Sequence, residues 1–575
     1  MQLRKINDKD NNLLNSLIDE GHNSLMSKVL VNRGYDRELI DALLTTGYSE
    51  MPEYKNIKNV EVGADLIESH IAADSRIYIF GDYDSDGVNS AYILGDAISY
   101  AIYYMESNSH LEIKLPERNE GYGLNMNWCK SILKDEGKKL VITVDNGIAQ
   151  KNEVAFLLEN DVDVLITDHH QPNGNTPENV FIIDAHHHNE DENNKGLCGA
   201  GVAFKLAMTL LERLYTNDLI EEDLFNDLYR KYIIHVAIAT ITDSMPMTMD
   251  NISFVYNGLQ LLKDGYGSDA INHYREYKKN TDLTPKDIAF DLGPQINACG
   301  RMNNTSLALN YLLAGEDEVE DLYNEVVNIN QERKLKTEKA LEITEELIDI
   351  NKSAIIIELE DVEGIAGIIA SNVSSKYNKC TIVFCRAGEV LVGSARSDGR
   401  VDLLKVLKTI ANTTDIVVKV GGHAGACGIT IKADKMNELD ELLNSLLSSV
   451  PVIETKGTHD IEILVDDFIT LSEVNKINCS YLYSLYFFTE SNPVFAFNDV
   501  TITKVKYSGN NPNNIQFNLK DASGTLQTWA WGVGNMYKEL GEPKQVTIIA
   551  ELDMIFGKSP GLKVLNIIPK REIDK

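Results

Sequence analysis

Short apolar runs alternate with stretches of helical spacing through the first third of the chain. Arg76–Ile77–Tyr78–Ile79–Phe80 reads as a buried strand, and Val88–Asn89–Ser90–Ala91–Tyr92–Ile93–Leu94 behind it reads as a helix. His110–Leu115, Leu140–Val144, Val162–Thr167 and Val180–Ile183 read as further strands. Strands separated by helical segments of ordinary length predict βαβ units and a parallel sheet. Ahead of them, residues 1 to about 70 read as short helices, and Leu25–Arg33 stops on Gly34.

The pattern then changes. From about Glu316 to Ile350 there is no Gly or Pro, and Val319, Leu322, Val326 and Ile329 recur at helical steps. One long helix is expected, up to about 50 Å at 1.5 Å per residue. Residues 351–455 read as a second α/β unit with strands at Ala354–Ile357 and Thr381–Phe384. Residues 456–575 carry short strand-like runs between turn signals, at Phe497–Ile502, Ile515–Leu519, Leu526–Trp531 and Gln545–Ile549. That suits a five-stranded OB-like barrel, a fold that binds single strands by stacking and charge. Trp529 and Trp531 share a strand face, and core packing is the expected role. The Tyr507–Asn514 stretch is neutral, which predicts weak binding by this barrel. A chain of 575 residues is too long for one core. The expected organisation is a catalytic domain at 1–314 with a helical N-terminal segment, a linking helix at 315–350, a smaller α/β domain at 351–455 and a barrel at 456–575.

The chemistry sits at the strand ends. Asp82-x-Asp84-x-Asp86-Gly87 follows the first strand. An EF-hand loop begins the same way, but needs a helix before it and a Glu at its twelfth position, where this chain has Ile93. Asp145–Asn146–Gly147, Asp168–His169–His170 and Asp184 close the later strands. Acids and histidines at the ends of parallel strands converge on one sheet edge, where open α/β sheets bind their ligands. His with Asp suits Mn²⁺, and carboxylates alone tend toward Mg²⁺. The apolar helix Ile233–Ile241 delivers a further acid, Asp243. Asp84, Asp86, Asp145, His169 and Asp243 are the first choice of ligands, with Asp82 a ligand or a partner behind one. In the loop Pro116–Leu124, Arg118 and Tyr122 stand among glycines, a combination suited to a phosphate and a base. The Gly-rich turn Asn194–Leu206 offers either amides for an anion or close helix packing. Asp291–Arg301 offers Asn297 and Arg301.

Charge and cysteine content narrow the setting. The net charge of −33 speaks against broad, non-specific phosphate binding but leaves room for a local basic groove. Seven scattered cysteines without a Cys-x-x-Cys pair argue for reduced thiols in a cytoplasmic protein, not for disulfides or a zinc site. Met1–Asp8 has no apolar signal segment, and no run approaches the ~18 apolar residues of a membrane span.

In order and spacing, the Asp82–Gly87, Asp145–Gly147 and Asp168–His170 motifs resemble those of the DHH phosphoesterase superfamily. The blocks Pro116–Leu124, Leu197–Leu206 and Asn297–Arg301 are similar to its RecJ branch, the 5′→3′ single-strand exonucleases. Gly364–Ser371, Gly393–Ser397 and Gly421–Gly428 resemble the family's DHH-associated domain. One position departs: many members have a His where this chain has Val362. The resemblance implies two divalent metal ions, Mn²⁺ or Mg²⁺, and hydrolysis of single-stranded DNA to 5′-mononucleotides in repair and recombination. It implies that His170 steadies the scissile phosphate and that Asp168 orients a histidine. Arg118, Tyr122, Arg301, Ser394 and Arg396 would hold the 5′-terminal phosphate, with Asn297 and His423 also in the nucleic-acid site. Asn330 and Arg333 on the long helix face either the strand or, as the favoured expectation, solvent in a salt-bridged surface. A monomer working beside a single-strand-binding protein or helicase, without a membrane, is the expected setting. Two other classes stay open. One is a phosphodiesterase for short oligonucleotides or cyclic dinucleotides. The other is a non-catalytic replication scaffold, which would be expected to lose metal ligands.

Overall fold

The structure, a computed structural model, describes residues 2–5, 11–44, 52–188, 190–279, 283–448, 462–479, 492–509, 511–555 and 559–570. Its first sheet is wholly parallel: β2 (Arg76–Phe80), β3 (His110–Lys114), β4 (Lys139–Val144), β5 (Asp163–Asp168) and β6 (Phe181–Asp184), in the order β3-β2-β4-β5-β6. Strand alternation splits its side chains between two cores. Ile77, Ile79, Leu140, Ile142, Val144 and Leu165 pack under the helices Val60–Ala72, Ser85–Tyr104 and Gly199–Thr216. Tyr78, Phe80, Val141, Val164 and Ile166 pack with Trp128 and Leu157 from the helices Met126–Ile132 and Lys151–Glu159. Every residue of β4 is buried, as a parallel sheet covered on both faces requires. Each large apolar side chain so buried contributes about 1.5–3 kcal/mol.

The long helix runs Val319–Leu347, 29 residues, and so is slightly shorter than its Gly- and Pro-free stretch. It leads to a mixed sheet of β7 (Ala354–Glu358), β8 (Cys380–Ala387), β9 (Val390–Arg396), β10 (Val417–His423) and β11 (Ala426–Lys432), in the order β10-β11-β9-β8-β7. Only β7 and β8 pair in parallel. The helix Ala366–Tyr377 packs on β8 and β9.

A third sheet has β14 (Phe495–Tyr507), β15 (Ile515–Lys520), β16 (Thr525–Ala530), β17 (Gln545–Ile555) and β18 (Ser559–Pro569), in the order β16-β15-β14-β17-β18. A short β13 (Asp467–Phe468) lies beside β14. The two edges meet where Leu562 N donates to Thr528 Oγ1 at 2.9 Å, which closes the sheet on itself. The tryptophans depart from expectation. Thr528 and Ala530 take the inner face of β16, so Trp529 and Trp531 lie outside it. Their rings stack 9° from parallel at 5.4 Å, and Trp531 is 45% exposed. At the other end of the chain, β1 (Gln2–Lys5) pairs in parallel with β12 (Glu462–Val465), a strand pair that no apolar run announced. The barrel is also tied back to the N-terminal helix Ser24–Arg33. Arg33 forms a bidentate pair with Asp466 at 2.7 and 2.9 Å, and Asp466 also accepts from Val494 N.

Candidate metal centre and phosphate cleft

Crossovers leave β2 toward β3 on one side and leave β4 toward β5 on the other. The crevice between β2 and β4 is therefore the switch point at which such sheets bind ligands. Asp84 caps the helix Ser85–Tyr104, its Oδ1 accepting from the amides of Asp86 and Gly87 at 3.0 and 3.1 Å. Asp86 is held in turn by the helix Gly199–Thr216, whose first amides, Gly199 N and Ala200 N, donate to it at 2.7 and 2.8 Å. The Gly-rich turn thus serves an anion that belongs to the chain itself. It also packs closely, since a Cβ on Gly199 would lie 2.6 Å from Asp145 Cβ. Asp145 leaves β4 in the left-handed region, φ 59°. Asn146 spans the two strand ends, donating to Phe80 O and Val144 O at 3.0 and 2.9 Å.

From β5, His169 brings Nε2 within 3.1 Å of Asp145 Oδ1, 3.6 Å of Asp86 Oδ2 and 3.9 Å of Asp243 Oδ2. Asp243 is the C-cap of the helix Glu222–Thr242. Three overlapping sets of potential ligand atoms result, each within 4.8 Å: Asp86, His169 and Asp243; Asp82, Asp84 and Asp145; and Asp145, His169 and His170. Burial, then mutual repulsion, pushes Asp82 and Asp145 well above the ordinary carboxylate range, and Asp243 up to about 8. Burial also favours neutral His169, the form that binds metal. Asp82 Oδ1 is buried with no hydrogen-bond partner. An orphaned oxygen among crowded carboxylates fits a divalent cation as the missing partner.

Asp168 and His170 form a separate unit. Asp168 accepts from Ile148 N, His169 N and His170 N, and pairs with His170 Nδ1 at 2.8 Å. Burial would raise Asp168, but these bonds prevail and hold it below its ordinary value. Burial would likewise lower His170, but the bond to Asp168 raises it to about 9, so its exposed edge is cationic at neutral pH. Tyr122 reaches over this unit, with its hydroxyl 3.3 Å from His170 Nε2 and 3.4 Å from Asp145 O.

The other wall of the cleft is basic. The Arg118 guanidinium lies 4.8 Å over the Tyr83 ring. Arg301 Nη1 donates to Gly364 O at 3.2 Å, joining the first unit to the second. Gly364 is the only residue type that fits there, because a Cβ would lie 1.7 Å from Arg301 O. Asp82, Asp84, Arg118, Tyr122, Asp145, His169, His170, Asp243, Asn297 and Arg301 all line one cavity of about 220 Å³. Asn297 Oδ1 is already engaged, accepting from Ser85 N at 2.8 Å. Asp86 sits behind that lining. Ser394, Arg396 and His423 are on the second sheet. His423 and Arg396 both face Ala426 across neighbouring strands, and Arg396 with Ser394 closes over Gly367.

Comparison with known proteins fits this layout. Residues 76–239 match the DHH family, N-terminal domain, and residues 351–449 match the DHHA1 domain. The single-stranded-DNA-specific exonuclease RecJ of Bacillus subtilis is 27% identical over 95% of this chain and 68% of its own length. RecJ of Haemophilus influenzae is 28% identical over 74% of this chain and 76% of its own. Among solved structures, RecJ from Thermus thermophilus in complex with Mn²⁺ superposes with a TM-score of 0.78 at 20% identity, covering 98% of this chain and 79% of that one. The chain carries a DHH N-terminal domain and a DHHA1 domain and is similar to RecJ over most of its length. An exonuclease RecJ bound to manganese is similar over 70% of this chain and 97% of that one, with a TM-score of 0.59 and 25% identity.

Several groups that the sequence placed in motifs or at strand ends take supporting roles that it did not announce. Asp184 N-caps a turn by accepting from His186 N at 2.6 Å, and His186 Nδ1 bonds His169 O at 2.7 Å, which fixes the backbone beside a candidate ligand. Asn146 and Gly364 act through close approach between distant segments, and such approach leaves no periodicity to read.

Proposed function

We propose that the chain is a metal-dependent 5′→3′ exonuclease that hydrolyses single-stranded DNA to 5′-mononucleotides, in DNA repair and recombination. The observation that carries this reading is a set of carboxylates with His169 and His170 facing Arg118 and Arg301 in one cavity. Asp84, Asp86, Asp145, His169 and Asp243 would hold two divalent ions, with Asp82 beside them. Those ions, Mn²⁺ or Mg²⁺, supply activation of a water nucleophile and neutralisation of charge on the phosphate. The protein's own residues do the rest. His170, kept cationic by Asp168, donates toward a non-bridging oxygen of the scissile phosphate. Tyr122 restrains His170 and supplies a face against which a base packs. Arg118, Arg301, Ser394 and Arg396 hold the 5′-terminal phosphate, a dianion suited to guanidinium forks. Asn297 holds the turn that presents Asp84, and His423 flanks the phosphate seat.

The outer face of the barrel supports contact with the strand farther from the cut. Lys506 stands exposed in register with Trp529 across Gln516, and Lys504 and Lys520 are exposed farther along the same strands. All seven cysteines are free and buried, which supports a reducing cytoplasmic setting. No described helix is long and apolar enough to cross a membrane. A monomer acting on strands exposed by a helicase or a single-strand-binding protein completes the reading.

The test is digestion of 5′-labelled and 3′-labelled single-stranded oligonucleotides with Mn²⁺ and with EDTA. Early release of 5′ label as mononucleotide, with Mn²⁺ only, is expected. Cleavage confined to di- to tetranucleotides would assign a small phosphodiesterase, and metal binding without any cleavage would assign a scaffold.

A further inference from the structure

The long helix was expected to show a solvated, salt-bridged face at Asn330 and Arg333. The structure differs. Asn330 is only 4% exposed, and its Oδ1 accepts from Arg333 Nη2 at 2.6 Å. Arg333 Nε is buried with no hydrogen-bond partner. The helix packs here against Gly293–Arg301. One turn on, Lys336 pairs with Asp361 at 2.8 Å, in the segment that leads to Gly364 and its bond with Arg301. Arg333 therefore stands where the first unit, the helix and the second unit meet.

Among the described residues, no carboxylate lies at ion-pair distance from Arg118, Arg301, Arg333 or Arg396. In a chain with 87 acids and 54 bases, four arginines without one acid between them are not what composition supplies. A partly desolvated guanidinium without a counter-charge is costly, unless an anion completes the site. We infer that Arg333, held in place by Asn330, binds a phosphodiester of the substrate strand inboard of the 5′-terminal phosphate. The inference rests on the single-strand exonuclease reading and adds a second anion seat to it. Arg396 and Ser394 serve the strand's end, and Arg333 serves its backbone whatever the end carries.

The experiment uses the full chain in EDTA, so that no strand is cut. Binding of a single strand of about 12 nucleotides is followed by anisotropy across a salt series, with 5′-phosphate and with 5′-hydroxyl ends. Arg333→Gln should weaken both substrates about tenfold and flatten the slope of log affinity against log salt by about 0.7, the value of one single-strand phosphate contact. Arg333→Lys, which keeps the charge, should keep the slope. Arg396→Gln should act mainly on the 5′-phosphorylated strand. An unchanged slope in Arg333→Gln, a loss confined to phosphorylated ends, or equal losses in the Gln and Lys variants would each overturn the inference. If the wild-type chain binds no single strand at all, the exonuclease reading falls first and this inference with it.

Discussion

At the edge of the first sheet, Asp82, Asp86 and Asp145 crowd together in near-complete burial. Across the same cleft stand Arg118 and Arg301, with Arg333 and Arg396 near them, and among the described residues none of the four has a carboxylate at ion-pair distance. Arg118 and Arg301 share one cavity with the acids, yet among the described residues no ion pair crosses between the two walls. Burial and like charge raise Asp145, and burial with the neighbouring Arg118 lowers Arg301 to about 10. A protein built for stability alone would cross-pair these groups. Leaving both poles without a direct ion pair costs stability and reserves the acids for cations and the arginines for anions.

The comparison breaks most completely at the acidic pole. Asp145→Ala should lower turnover by more than about 100-fold, beyond what loss of an outer partner of a metal ligand causes. Without metal, the same variant should melt no lower than the wild type, since a buried, repelled carboxylate is gone. Wild-type melting should rise with Mn²⁺, by about 2.7 kcal/mol at a hundred times the dissociation constant, and that rise should be much smaller in the variant. Calorimetry with and without EDTA reads both effects, and unchanged turnover would overturn the ligand assignment.

The junction between the units comes next. In Gly364→Ala the new methyl must displace Arg301 O, which should cost about 1–3 kcal/mol in urea unfolding and lower activity by misplacing the guanidinium. At the basic pole, Arg396→Ala should slow attack on 5′-phosphorylated ends about tenfold or more, the value of a charge-assisted bond, and affect 5′-hydroxyl ends far less. Competition between the two substrates in one tube measures that ratio directly. The smallest effect is expected far from both poles. Trp531→Ala should weaken binding of long strands by about 1 kcal/mol, the low end of a base–aromatic stack, and leave short ones unchanged.

Apolar runs of strand length and helical spacing between them determined the parallel sheet, because alternation and burial are written locally. The same runs placed Asp82, Asp84, Asp86, Asp145, His169 and His170 at strand ends, and parallel pairing alone brings such ends to one edge. The linking helix was legible from the absence of Gly and Pro over its length, though its partners were not. Only the tertiary structure decided what each polar group faces. The Gly199 turn proved to serve Asp86, Asn297 proved to cap the turn before Ser85, and Asn330 with Arg333 proved to be packed against a neighbouring helix. It also turned Trp529 and Trp531 outward, since Thr528 was needed inside to close the barrel. Periodicity reports which residues leave water. It does not report which distant backbone or charge they meet, and in this cleft that meeting sets the position and charge of the residues lining it.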